Sequence, residues 1–179
     1  MNLESLTEQA LAEARRELEQ TGGVTPLFVI CLADGTIQKA GLPGKMAEIM
    51  NYDKAKERLF EFLRGLVRSN GITAVASLID AYLSKTTPKG VALLNRDRAE
   101  FERQAKNTDE AVRNGLFERR EALVVTTQDA ERVVIVNQFY LRHNNRTVSF
   151  DERTRMEFHQ ADFKGRMKMY GDLRQENLE

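Results

Sequence analysis

Thr25-Pro26-Leu27-Phe28-Val29-Ile30-Cys31-Leu32, followed at once by Ala33-Asp34-Gly35, is the stretch from which the fold is read. A continuous apolar run of strand length, bounded by a proline and an Asp-Gly turn, is the pattern of a strand buried on both faces. Its expected place is the centre of a sheet. The Asp-Gly pair sends the chain back through residues 36–40 as a hairpin. Gly41-Leu42-Pro43-Gly44 closes that unit, and residues 45–50 suit a short helical turn.

Upstream, Leu3, Leu6, Ala10, Leu11, Ala14 and Leu18 recur at helical spacing, with Glu13, Arg16 and Glu17 away from that face. The pattern predicts an amphipathic helix over residues 3–20, docked on the sheet. Ser5 and Glu8 stand at capping-box spacing, and Gly22-Gly23 supplies the stop.

Downstream, Asn51 is placed to cap a second helix, with Asp53 near the positive end of its dipole. Tyr52, Ala55, Leu59, Phe62, Leu63, Leu66 and Val67 make its apolar face, and Asn70-Gly71 ends it. Residues 72–85 then read as a long strand with both alternate sets largely apolar, hence also central. Asp80 is the exception, and a carboxylate on such a face needs a partner or exposure near the strand end.

Residues 86–120 begin with the loop chemistry of Thr86-Thr87-Pro88-Lys89-Gly90 and continue very polar, with Ala99, Phe101, Ala105, Ala111 and Val112 as sparse apolar points. A mobile excursion carrying one or two marginal helices is expected there, since so long a structureless loop is unusual in a compact domain. Residues 122–127 and 132–141 are rich in β-branched side chains and joined by Gln128-Asp129-Ala130-Glu131, a hairpin. Asn144-Asn145 turns the chain into residues 147–150, completing a meander. From residue 151 the chain is highly charged, and Met156, Phe163, Met167 and Tyr170 share one helical face, predicting a weakly anchored terminal helix and tail over 151–179. The resulting fold class is α+β over a single domain, 1–179, with a mainly antiparallel sheet of five or six strands.

Composition narrows the function. Lys plus Arg and Asp plus Glu both number 27 among 179 residues, so the net charge is zero, which argues against a general polyanion binder. Cys31 is the only cysteine, so no internal disulfide is available. Residues 1–20 carry five acidic and two basic residues, which is not the order of a signal peptide. No apolar run approaches the roughly 20 residues that span a bilayer. A cytoplasmic location without membrane contact is the expectation.

The order helix, two strands, helix, three strands, helix is similar to that of the roadblock and profilin-like scaffold domains, although residues 86–120 stand where those domains connect two strands tightly. Val24-Thr25-Pro26-Leu27-Phe28-Val29 with Asp34-Gly35, then Asp80-Ala81-Tyr82, then Arg120-Glu121-Ala122-Leu123, resemble small bacterial or phage proteins of no assigned function. That resemblance covers about a tenth of the chain and implies the same sheet and no particular chemistry.

Candidate chemistry is sparse. Cys31, between Ile30 and Leu32 in the most apolar run of the chain, reads as core and not as a nucleophile. His159 and Asp162 are spaced to share a helix face, but two ligands make no metal site, and His143 falls in a turn. Asp80 and Glu121 stand at strand positions like nuclease carboxylates, yet Ala122 and Leu123 follow Glu121 where a Glu-x-Lys pattern would place a lysine. A salt bridge of Asp80 or Glu121 with Arg120 or Arg142 is the expected arrangement. An enzyme site at the sheet edge would have to assemble from Asp80, Glu121, Arg142 and His143. There is no phosphate loop, no nucleophile elbow and no sign of a cofactor.

The segment 142–170 holds the basic residues Arg142, Arg146, Arg153, Arg155, Lys164, Arg166 and Lys168, a formal surplus of three over Asp151, Glu152, Glu157 and Asp162. Phe150, Phe158, Phe163 and Tyr170 interleave with them, as in a single-strand nucleic-acid surface. With a net charge of zero this nucleic-acid reading stands second. The first is a non-catalytic protein-binding or assembly module without cofactor or metal, self-associating as a homodimer through helix or sheet-edge contacts.

Overall fold

The computed structural model describes residues 2–41, 53–69, 71–144 and 147–163. Within them the chain forms five helices and six strands, an α+β fold built on one antiparallel sheet. In chain order these are α1 (Leu3–Thr21), β1 (Leu27–Leu32), β2 (Ile37–Gly41), α2 (Asp53–Ser69) and β3 (Ile72–Thr86). The three short helices α3 (Pro88–Arg96), α4 (Arg98–Ala105) and α5 (Thr108–Arg113) follow, then β4 (Phe117–Gln128), β5 (Arg132–Arg142) and β6 (Val148–His159).

The strands lie in the order β2-β1-β3-β4-β5-β6, every neighbouring pair antiparallel. The apolar run expected at the centre is therefore second from one edge, held between β2 and β3. A neighbour on both sides is enough for an uninterrupted apolar strand, and the middle of the sheet falls to β3 and β4. Its turn is as the sequence predicts. Gly35 takes φ 83°, and the Asp34 carboxylate accepts from the Thr36 amide at 2.8 Å, which holds that carboxyl below its ordinary range.

Helix α1 lies along the sheet over β4 and β3 and buries Leu3, Leu6, Ala10, Leu11, Ala14 and Leu18 against Val29, Cys31, Ala76, Leu78, Leu123, Val125, Val134 and Val136. This is the face the helical spacing indicated. Its N-cap is Asn2, whose side chain accepts from the Ser5 amide at 2.8 Å, so the capping box read at Ser5 and Glu8 is not used. Gly22 ends it in the left-handed region at φ 75°, where a side chain is disfavoured. The Thr7 hydroxyl donates to the Leu3 carbonyl at 2.7 Å and meets the Thr127 hydroxyl at 2.8 Å, so the polar pair beneath the helix is satisfied. In α2, Val67 is buried and Leu63 half-buried as expected, whereas Phe62 is 61% exposed. The expected cap at Asn51 and the turn over 45–50 lie outside the described residues.

Two further expectations are corrected. Residues 151–159, read as the start of a terminal helix, are strand: β6 pairs with β5 from Arg132↔His159 to Arg142↔Val148, with a bulge near Gln138. Thr154, Met156 and Phe158 alternate with Arg153, Arg155 and Glu157, and that period of two prevails over the helical spacing of Met156 and Phe163. The rest of the predicted helical face lies outside the described residues.

The segment 86–120 holds three helices where one or two were expected. They are capped by Thr87, Asp97 and Asn107, each accepting amide hydrogen bonds through its side chain. Ala111 and Leu116 are buried beneath them, and Phe101 meets Phe117 edge-on at 6.0 Å.

Candidate functional site

Beyond the C-terminal end of α1 the helix-facing side of the sheet turns polar. On β3, Asp80 follows Leu78 on that face; on β4, Glu121 precedes Leu123; on β5, Tyr140 and Arg142 follow the bulge. The period of two thus brings residues from three strands to one corner.

Tyr140 is the buried hub. Its hydroxyl donates to Asp80 Oδ1 at 2.6 Å and accepts from Arg142 Nη2 at 2.8 Å. Burial, and then the hydrogen bond to Asp80, push its phenol well above the ordinary range, so it stays a donor at neutral pH. Arg142 also donates from Nε to Glu121 Oε1 at 2.7 Å, pairs with Asp80 Oδ2 at 3.2 Å and donates to the Gly22 carbonyl at the end of α1. One guanidinium therefore ties β3, β4 and the helix C-terminus together, where the helix dipole favours a cation. The Glu121 hydrogen bond leads the causes that hold Arg142 firmly protonated. Tyr82, largely exposed, reaches Glu121 Oε1 at 3.4 Å.

The structure thus brings together Asp80, Glu121 and Arg142, the salt bridge the sequence suggested, and leaves two of the named candidates out. Arg120 lies on the opposite face, over the Phe139 ring at 4.9 Å and paired with Asp151. His143 turns to Ser149, with Nε2 2.8 Å from Oγ. It lines a concavity of about 410 Å³ with Glu19, Gln20, Thr21, Gly22 and Arg142, beside the cluster. Every charge in the cluster already faces a partner, an arrangement that clamps the three strands and the helix end together. Sequence reasoning missed Tyr140; the available signal was an aromatic hydroxyl two residues before Arg142, on the same face of a strand.

Arg153 and Arg155, two of the basic candidates, point toward α1. Arg153 pairs with Glu8, and Arg155 pairs with Glu4 at 3.1 Å and Glu157 at 2.9 Å. Phe150 packs against Tyr140 at 6.4 Å and beneath the Arg15 guanidinium at 4.7 Å; Phe158 meets Phe163 at 5.9 Å. These rings are engaged in packing. Arg146, Lys164, Arg166, Lys168 and Tyr170 lie outside the described residues. Cys31 is buried in the core. His159 ends β6 with Asp162 in the following turn, and among the described residues no group of three or more His, Cys, Asp or Glu is placed to hold a metal. Nor is any described helix long and apolar enough to cross a membrane.

No protein-family model, curated protein or solved structure matches the chain.

Proposed function

We propose that this protein is a non-catalytic binding or assembly module whose contact surface is the outer rim of its sheet at β5 and β6. The observation that supports this is the condition of that rim. β6 is the last strand of the sheet, with its outer edge unpaired by any described strand. Leu141 and Met156, on the face away from α1, are 50% and 42% exposed. An open strand edge beside exposed apolar side chains is a surface suited to another polypeptide.

The nucleic-acid reading is weakened by the carboxylate partners of Arg142, Arg153 and Arg155, because a paired guanidinium has less to offer a phosphate. The enzyme reading draws support from the convergence of Asp80, Glu121, Arg142 and Tyr140, but the mutual saturation of those groups favours the clamp.

The test is capture with the purified full chain from a native lysate, identifying proteins, nucleic acid, metals and small molecules carried with it. A protein retained in stoichiometric amount and lost on Leu141→Lys with Met156→Lys supports the proposal. Nucleic acid in its place, or a protein set indifferent to those substitutions, overturns it.

A further inference from the structure

The outer strand carries charges of both signs. On β6, Arg155 and Glu157 project on the same face, with Arg155 Nη2 2.9 Å from Glu157 Oε2, and Thr154, Met156 and Phe158 project on the other. Charged edge strands commonly block edge-to-edge pairing by setting like charges against each other. Here the outcome depends on register. We infer that β6 pairs antiparallel with β6 of a second copy of this chain, about a two-fold axis at Met156, continuing the sheet across both copies.

The register follows from the pleat and the charges. A two-fold axis normal to a continuous antiparallel sheet sets side chains of the same face opposite one another, so the axis falls between one residue and its own counterpart. With the axis at Met156, each Arg155 stands opposite Glu157 of the second copy, twice over. Met156 then meets its own counterpart, and Thr154 meets Phe158. Moving the axis to Arg155 keeps two Arg153–Glu157 pairs but adds arginine against arginine; to Thr154, it sets Arg153 against Arg155; to Glu157, glutamate against glutamate. Directly opposed like charges destabilise a strand pair, so the Met156 register is selected over its neighbours. The paired stretch, residues 153–159, has ordinary strand length. The exposed Met156 is covered by the same contact.

The remaining charges around this face are compatible with the pairing. Glu4 and Glu8 of α1 face Arg155 and Arg153 from above, and Arg132 of β5 faces Glu157 at 3.2 Å. Each forms its pair within one copy, and none of these described pairs occupies the outer edge.

The inference names the partner for the binding-module reading and rests on it, but it is tested separately. The mass of the full chain in solution is followed against concentration by sedimentation, for the native protein, Arg155→Glu, Glu157→Arg and an equimolar mixture of the two variants. The native chain is expected to be dimeric. Each variant alone opposes like charges at two positions and is expected to self-associate about tenfold more weakly or not at all. In the mixture, the first variant carries carboxylates at both positions and the second carries guanidinium groups at both. Every opposed pair across a mixed dimer is then of opposite charge, so the mixed dimer is expected to return. A mixed dimer excludes misfolding as the cause of the single-variant losses. A monomeric native chain, variants that dimerise like the native chain, or a mixture that stays monomeric while circular dichroism shows both variants folded overturns it. A monomeric chain that still captures another protein through Leu141 and Met156 leaves the binding-module reading standing.

Discussion

Tyr140 shows how one hydroxyl can make a half-buried corner tolerable. Asp80 stands on a strand face whose preceding residues are apolar, and a carboxylate there needs its lone pairs occupied. Tyr140 donates to it, and Arg142 bonds to both. Tyr140→Phe keeps the ring in place and removes the donor, so a loss of about 1–2 kcal/mol in stability is expected from urea unfolding at pH 7. The same pair of proteins gives a pH test. The folded phenol is held above its ordinary value of 10.0, so the neutral hydroxyl is favoured by folding. Its stabilisation is complete below about pH 10 and is lost as the pH rises from there toward the folded value, because the unfolded chain ionises first. The difference between native and Tyr140→Phe proteins should be constant from about pH 6 to 9 and shrink above about 10; a difference that grew with alkali would contradict the assignment. The ion pair in this cluster was readable from Asp80, Glu121 and Arg142. The hub was not, because nothing in a tyrosine's local sequence says whether its hydroxyl will meet a carboxylate from a strand sixty residues away.

At the scale of elements, the polar segment between β3 and β4 is joined to the sheet at a specific seam. The Thr87 hydroxyl donates to the Gly115 carbonyl at 2.6 Å, the Thr87 amide to the Leu116 carbonyl at 2.9 Å, and Lys89 Nζ to the Asn114 carbonyl at 2.8 Å. Gly90 lies against this seam, where a Cβ would press on the Leu116 carbonyl oxygen and come within 2.8 Å of Thr86 Cγ2. Gly90→Ala therefore sets two effects against each other. Alanine favours the helix by roughly 1 kcal/mol, but the obstacle is backbone, and overpacking costs about 1–3 kcal/mol. The expected result is a lower urea midpoint; a higher one would mean the seam opens freely. The caps Thr87, Asp97 and Asn107 went unread, because sparse apolar positions gave no periodicity from which to place or count the helices they begin. The opposite problem arose at β6, where two periods overlap in one sequence and only the partner strand β5 decides between them. The place of β1 in the sheet was also beyond reach, since an apolar run reports two neighbours and not which strands they are.

For the whole molecule, α1 acts as a longitudinal strap with charges along both flanks. Glu8 meets Arg153 on β6 and Glu13 meets Lys39 on β2 at 2.9 Å, so one helix reaches both edge strands of the sheet. Those hydrogen bonds, first from Arg153 and Lys39 respectively, hold both carboxyls below their ordinary value of 4.5. A lowered carboxyl stabilises the fold above the unfolded value and ceases to do so as the pH falls through the folded one, because the unfolded chain takes up the proton first. Stability should therefore decline as the pH drops below about 4.5. In Glu8→Gln, Glu13→Gln protein, part of that decline should disappear. Both pairs are at the surface, so at pH 7 the double substitution is expected to cost less than about 2 kcal/mol, and less still in high salt. The apolar contacts of Leu6, Leu11 and Leu18 do not titrate, so α1 should stay docked in acid while its flanks are released. Hydrogen exchange at about pH 3 and pH 7 checks this directly: protection should persist in the middle of α1 and fall at the two edge strands. Equal loss across α1 and the edges would show that the ion pairs, and not the apolar face, hold the helix to the sheet.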